Sequence, residues 1–360
     1  MKQKITIIGW TDGFWKWIAE FLLKHFWEKI DLTITWRNKE KWEKLISFFQ
    51  REYLQKEEFL KFSTNNIESV KNADITVFAV PIAFMEKTIK EVAPFLKENS
   101  VVLDVCSIKD FPSQALEKYS PKSVLVIPTH PMFGPFISSI AGQIFVLTAK
   151  KENRQDFRYK FLKNFLEKNN AKVLETTAKN HDKMMAVVQW LTHYDIFVFA
   201  ETMRKLEVDI EESLNFVSPI YKLKLSSVAR YMSQNPWLYA DIQMYNKEIL
   251  NVHSVFMEVS AKFNKFVEEK NEKEFISTIE NTKKYFWENA QKWQLYTDKI
   301  IYLISKQIDL IKQNINWKKI KFENIYSWKI VQEKVIDYKN EIIFLENWEK
   351  LILDEWRVFE

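Results

Sequence analysis

The first half of the chain alternates short apolar runs with helical periodicities, and this alternation restricts the fold more tightly than any other feature. Residues 4–9 (KITIIG), 31–35 (DLTIT), 74–80 (DITVFAV), 101–105 (VVLDV) and 124–127 (VLVI) are short and largely apolar, as strands covered on both faces are. Between them, residues 14–26, 39–50, 83–93 and 112–119 repeat their apolar positions at helical spacing. Such alternation predicts an α/β, Rossmann-like doubly wound parallel sheet. Residues 144–148 and 172–175 read as later strands around an amphipathic helix over 152–169. From about residue 178, helical periodicity runs to about 313 with few breakers beyond Pro219 and Pro236, which predicts an all-helical second domain. After Asn316 the segments KIKFENIY, KIVQEKVIDY, EIIFLEN and EKLILDE alternate again, as a small antiparallel β segment would. The expected division is therefore 1–176, 177–313 and 314–360.

Composition narrows the function classes. The chain of 360 residues has room for two or three domains. No apolar run approaches the ~18 residues of a membrane span, and a first strand starting by Lys4 leaves no room for a signal peptide. The single cysteine, Cys106, excludes an internal disulfide and a cysteine-based zinc site, and a reducing cytoplasm is expected. No metal site is expected. A net charge of +5, with Lys and Arg interleaved among Asp and Glu, gives no nucleic-acid footprint. A small anionic substrate needs only local positive charge.

One feature is abnormal. The chain has 4 glycines and 14 tryptophans, where ordinary usage would give about 25 glycines. Several indoles stand where backbone geometry asks for glycine: Trp10 and Trp15 in the first strand-to-helix turn, Trp36 at the end of the second strand, and Trp317, Trp328 and Trp348 in turns. Asn347-Trp348 occupies the place of the Asn-Gly pair of a type I′ hairpin. Roughly ten tryptophans are accordingly expected to be glycines in the native protein, as UGA codons read as glycine by the host would produce, while Trp17, Trp237 and Trp356 could be genuine. The alternative is a truly tryptophan-rich protein.

The first turn, Gly9-Trp10-Thr11-Asp12-Gly13-Phe14-Trp15, lies where a dinucleotide pyrophosphate meets helix N–H groups. Glycines at 10 and 15 would make it GGTDGFG; otherwise it is an ordinary strand–helix turn, with indoles blocking close approach of backbone to phosphate. At the end of the second strand, Thr35-Trp36-Arg37-Asn38 offers a cation and an amide in place of the acidic residue usual for NAD. This favours NADP, with NAD possible, unless Arg37 only solvates the loop.

His130 follows the strand at 124–127, at the sheet edge where such folds bind ligands, and Pro128, Pro131 and Pro135 stiffen its surroundings. A histidine there suits a general base that takes a hydroxyl proton as hydride leaves the same carbon. Ser107 follows the preceding strand and could reach His130, or could cap a turn or helix. His193 and Arg230 fall on helices of the second domain, where Arg230 could fork onto a carboxylate; either could equally be an ordinary helical residue.

Taken together, GWTDGFWKW, TWRNKEK, AVPI, DVCSIK, PTHPMFGP, MMAVVQWLTH and SPIY…QNPWLYADIQMYN resemble the prephenate dehydrogenase family, in particular its archaeal-type branch, over roughly residues 4–300. The resemblance implies that His130 is the catalytic histidine and Ser107 its partner. It further implies that His193 and Arg230 bind the substrate, with Arg230 on a carboxylate, and that Val80 and Pro81 of AVPI stand with the cofactor turn. The reaction implied is oxidative decarboxylation of prephenate to 4-hydroxyphenylpyruvate in tyrosine synthesis, by a homodimer built on the helical domain. Arogenate dehydrogenase and a non-catalytic NADP-binding sensor are the competing expectations. The sequence departs from the family at Trp10, Trp15, Trp36, Trp42 and Trp190, where glycine is expected. The C-terminal β segment has no function implied by the resemblance.

Overall fold

The computed structural model describes residues 2–9, 14–36, 60–135, 137, 139–324, 329–339 and 341–359. Trp10, Thr11, Asp12, Gly13, Arg37, Trp42, Trp328 and the helix expected over 39–50 lie outside them.

All the strands expected in the first half form, and they join one sheet. Strands β1 (Gln3–Ile8), β2 (Ile30–Thr35), β3 (Leu60–Ser63), β4 (Ile75–Phe78), β5 (Val101–Asp104), β6 (Leu125–Pro131), β7 (Ile144–Leu147) and β8 (Lys172–Glu175) are ordered β3-β2-β1-β4-β5-β6-β7-β8. β3 is an addition to the expected set; four residues are too few for a readable alternation. β1 through β6 pair in parallel, but β7 runs antiparallel to β6. The chain returns to β7 without a crossover helix among the described residues, and a parallel return generally needs one.

Helices α1 (Phe14–Phe26), α2 (Asn66–Val70), α3 (Ile82–Val92), α4 (Asp110–Tyr119) and α5 (Phe157–Lys168) cover the sheet. Successive β1 side chains alternate between the two faces. Ile5 and Ile7 pack with Trp15, Ala19 and Leu23 of α1, whereas Ile8 packs with Met85 and Ile89 of α3 and Leu116 of α4. Each such aliphatic side chain contributes about 1.5–3 kcal/mol on burial. Sequence order reverses across the sheet between β1 and β4, the switch point at whose carboxyl ends doubly wound sheets hold their ligands.

The helical part comprises α6 (Ala178–Met185), a π-helical turn (Ala186–Leu191), α7 (Thr192–Lys205), α8 (Ile210–Ser213), α9 (Pro219–Met232), α10 (Pro236–Tyr245), α11 (Ile249–Glu268) and α12 (Glu272–Gln313). Pro219 and Pro236 start helices at their first residue, behind the capping side chains Ser218 and Asn235, where proline's missing N–H costs nothing. No helix among the described residues is long and apolar enough to cross a membrane.

The chain groups into two compact units, residues 1–257 and 258–360. In the first, Asp241 of α10 accepts the Ala83 N–H of α3 at 3.1 Å, which ties the helical part to the helix beyond β4. In the second, β9 (Lys319–Asn324), β10 (Ile330–Lys339), β11 (Ile342–Leu345), β12 (Lys350–Ile352) and β13 (Trp356–Phe359) form the expected antiparallel sheet, ordered β12-β11-β10-β9-β13. Ile320 and Phe322 alternate with exposed lysines and pack with Ile311, Val335, Leu345 and Trp356.

The tryptophans separate by environment. Trp17 stacks on Phe14 and Phe21 and donates to the Ile137 carbonyl at 3.1 Å. Trp15 and Trp190 are buried in helical segments, so neither is an exposed turn indole. Trp317 and Trp348 are exposed. The hairpin at Trp348 is not the expected type I′ turn. The Trp348 N–H closes a turn on the Leu345 carbonyl, and Trp348 itself, at φ 68°, is the left-handed residue that follows. Glycine normally takes that position in a three-residue hairpin loop.

Candidate active site

Two elements converge at the carboxyl edge of the sheet. Gly9 ends β1 at φ 81°, and a Cβ there would collide with the side chain of Val80 just beyond β4. Only glycine lets the two strand ends close up in this way. Phe14, at the start of α1, lies 5.7 Å from the Phe133 ring, and Trp17 lies 5.1 Å from it. The loop after β6 therefore rests against the helix that leaves the nucleotide turn.

His130 lies in that last stretch of β6 and is 3 % exposed. Its Nδ1 is 2.8 Å from His181 Nε2, and its Nε2 is 3.5 Å from Gln189 Nε2 in the π-helical turn. His181 Nδ1 is 2.7 Å from Asp182 Oδ1. Asp182 in turn accepts the backbone N–H groups of Lys109 and Asp110, both at 2.8 Å, at the N-terminus of α4. Lys109 is fully buried and pairs with Asp104, and its Nζ also donates to the Thr129 carbonyl at 2.6 Å. Burial raises the Asp104 carboxyl and the Lys109 ammonium beside it opposes the rise. Burial first, then the neighbouring His181 and Lys109, hold His130 well below the ordinary histidine range. Burial also lowers His181, against the pull of Asp182. Cys106, pushed up to about 12 by burial, is no nucleophile at neutral pH.

Ser107 is half-buried and makes no hydrogen bond to His130 among the described residues. It does not cap α4 either, since Asp182 fills that role from α6. His193, in the first turn of α7, is buried among Phe197, Tyr231 and Tyr239, and its Nδ1 has no hydrogen-bond partner among the described residues. Burial takes it down to about 4, so it is neutral at pH 7. Arg230, in the last turn of α9, reaches the loop that follows His130. A side-chain carbon placed on Gly134 would lie 3.8 Å from Arg230 Nη2. Among the described residues its guanidinium makes no ion pair.

The structure thus groups His130, Gly134 and Arg230 around one loop, places His193 beside Tyr231, the neighbour of Arg230, and brings Phe14 to the same loop. It leaves Ser107 apart from His130 in hydrogen bonding. Sequence reasoning missed His181, Asp182, Lys109 and Gln189. Lys109 stood within DVCSIK, and Gln189 within MMAVVQWLTH. The His181-Asp182 pair lies in the middle of α6, just upstream of that segment, and a lone His-Asp step inside a helix reads as ordinary.

A glycine-closed switch point in a doubly wound sheet, with a buried histidine at the end of β6 and a helical second part, is the architecture of a nucleotide-binding α/β protein. Residues 48–175 match the model of the prephenate dehydrogenase nucleotide-binding domain and residues 177–281 that of its dimerization domain. The chain belongs to the prephenate dehydrogenase family, as the sequence segments implied. It is 37% identical over 311 residues to the "Probable arogenate/prephenate dehydrogenase" of Methanocaldococcus jannaschii, covering 86% of this chain and 67% of that protein. It is 30% identical over 222 residues to the "T-protein" of Haemophilus influenzae, covering 62% of this chain but only 58% of that longer protein. A crystal structure of prephenate dehydrogenase from A. aeolicus with hydroxyphenyl propionate and NAD+ has the same fold. Its TM-score is 0.61 at 19% identity, over 80% of this chain and 98% of that one. The nucleotide-domain match begins at residue 48, beyond Gly9 to Trp15 and Arg37.

Proposed function

We propose that the chain converts prephenate to 4-hydroxyphenylpyruvate by NAD(P)-dependent oxidative decarboxylation, with His130 as the general base. The observation that carries this reading is the end of β6 and the loop that follows it: the strand end holds the buried His130, and the loop packs on helix α1 through Phe133 and meets Arg230 at Gly134. Gly9 and Val80, at a strand end with no room for a Cβ, fit the close backbone approach that a dinucleotide requires. Trp10, Thr11, Asp12, Gly13, Phe14, Trp15 and Pro81 complete the proposed cofactor site. Arg37 after β2 favours NADP, with NAD as the second candidate. The nicotinamide, when bound, supplies the hydride acceptor.

His130 takes the proton of the substrate's ring hydroxyl as hydride leaves the same carbon, and the ring carboxylate departs as CO₂. Aromatisation supplies the driving force, so the chain's work is positioning and exclusion of water. A histidine held below its ordinary range is unprotonated at neutral pH and ready to accept. Arg230, whose guanidinium makes no ion pair among the described residues, is the cation proposed for a carboxylate. The unpartnered His193 Nδ1 offers a neutral hydrogen bond to the substrate's side chain, which would satisfy a buried polar atom. Ser107, half-buried three residues beyond β5, would contact substrate or cofactor on this reading.

The same proposal includes a homodimer. Met244, Leu250, Ile276, Phe286, Trp287 and Leu295 are exposed apolar residues of the helical segments, more than a single chain would leave to water. It also keeps the native glycines: Trp348, exposed and left-handed, is the position that most supports recoding.

Prephenate-dependent reduction of NADP+ and of NAD+, with arogenate as the competing substrate, tests the proposal. Turnover of prephenate that arogenate does not outcompete is expected. Turnover of arogenate alone, or of neither, would reject it.

A further inference from the structure

Outside the residues that touch substrate, the site holds a buried chain of polar groups with no assigned work. Asp182 holds two backbone N–H groups at the start of α4, and an ionised carboxylate has only lone pairs to offer a third partner. His181 Nδ1, 2.7 Å from Asp182 Oδ1, must therefore carry the proton of that hydrogen bond. In a neutral imidazole the other nitrogen is then bare. His181 Nε2 is an acceptor, and the His130 Nδ1 that lies 2.8 Å from it must be the donor. The proton on His130 is thereby fixed on Nδ1, and its Nε2 presents a lone pair. That lone pair faces the π-helical turn at Gln189, 3.5 Å away.

We infer that His181 and Asp182 are positioning residues that hold His130 in the tautomer and ring orientation required of a base at Nε2. The inference rests on the proposed role of His130. Asp182 is anchored to the sheet side of the site by α4, while His181 and Gln189 come from α6 and the turn that follows it. One buried carboxylate thus sets both the docking of α6 and the direction of the His130 lone pair. A second partner of the base oriented by a third group is the arrangement that activates nucleophiles and bases generally.

The groups around His130 fit this order. His181 lies on its Nδ1 side, and the Lys109 ammonium, paired with Asp104, disfavours a resident positive charge on the ring. No other titratable group acts on it in the described residues.

The direct test is ¹⁵N NMR of the histidine rings of the whole protein at neutral pH, with His130→Gln used for assignment. His130 should be protonated at Nδ1 and bare at Nε2; the opposite tautomer would overturn the inference whatever the activity. Kinetics supply the second arm. His181→Leu removes the acceptor and should lower kcat roughly 10²-fold, with the substrate KM and the nicotinamide Kd unchanged. His181→Gln, whose amide can donate to Asp182 and accept from His130, should recover most of the loss. Full activity of His181→Leu would also overturn the inference. Should His130→Gln itself keep full activity while the Nδ1–H tautomer is found, the proposed base fails and the tautomer assignment stands.

Discussion

His130, His181 and His193 are buried, and burial lowers each imidazole, His193 to about 4. In the unfolded chain the same groups protonate near 6.5, so below that pH the unfolded state binds more protons than the folded one. Stability is complete above about 6.5, falls as the pH drops through that value, and stops falling below the folded values. For His193 the window runs from 6.5 to about 4, and the loss is on the order of 3 kcal/mol. Urea unfolding followed between about pH 7.5 and 5, above the range of ordinary carboxylates, should show a midpoint that holds down to about pH 6.5 and falls below it. A midpoint that does not move would contradict the burial of these rings. At this scale the sequence singled out His130, His193 and Arg230 as candidates through their motifs. It concealed the pairing of His130 with His181 and of Lys109 with Asp182, which lie 51 and 73 residues apart. Local pattern fixes which turn a residue occupies; it does not say which other turn meets it.

The elements that bury apolar residues on both sides were legible because their runs are short and continuous. β1, β4, β5 and β6 all lie within their expected limits or one to four residues beyond them. The reversal of β7 was not, because direction depends on the connection and not on the strand's own residues. The π-helical turn was hidden for a similar reason: Ala186–Leu191 reads as uninterrupted helix, yet it is the segment that brings Gln189 to His130. Such turns often sit at functional sites. The hairpin at Trp348 was recognised as a turn, and its type was wrong by one position: the left-handed residue follows the turn instead of forming its centre. Left-handed backbone costs an L-residue roughly 1–2 kcal/mol, and the indole there is 88 % exposed and returns little by burial. Trp348→Gly should therefore stabilise the C-terminal sheet by up to about 1 kcal/mol, after the greater entropy of glycine in the unfolded chain is set against the relief. A lowered thermal midpoint for this variant would count against glycine as the natural occupant.

At the scale of the whole molecule, single polar residues lock a sheet edge and a helical segment together. Asp182 carries much of that lock: its carboxylate holds α4, its carbonyl accepts the Asn246 amide at 2.8 Å, and its neighbour His181 meets His130. Asp241 adds a second tie from α10 to α3. The fold class was readable from alternation, and the family from seven short segments. The interlock between the two halves was not, since it is made by single polar residues far apart in the chain. His130 is the proposed proton acceptor. That role is tested most directly by comparing His130→Ala with the parent protein for prephenate-dependent formation of reduced nicotinamide, with cofactor affinity measured on the same samples. In His130→Ala, kcat should fall by ~10²–10⁴ while the cofactor binds as before. An unchanged kcat would contradict it.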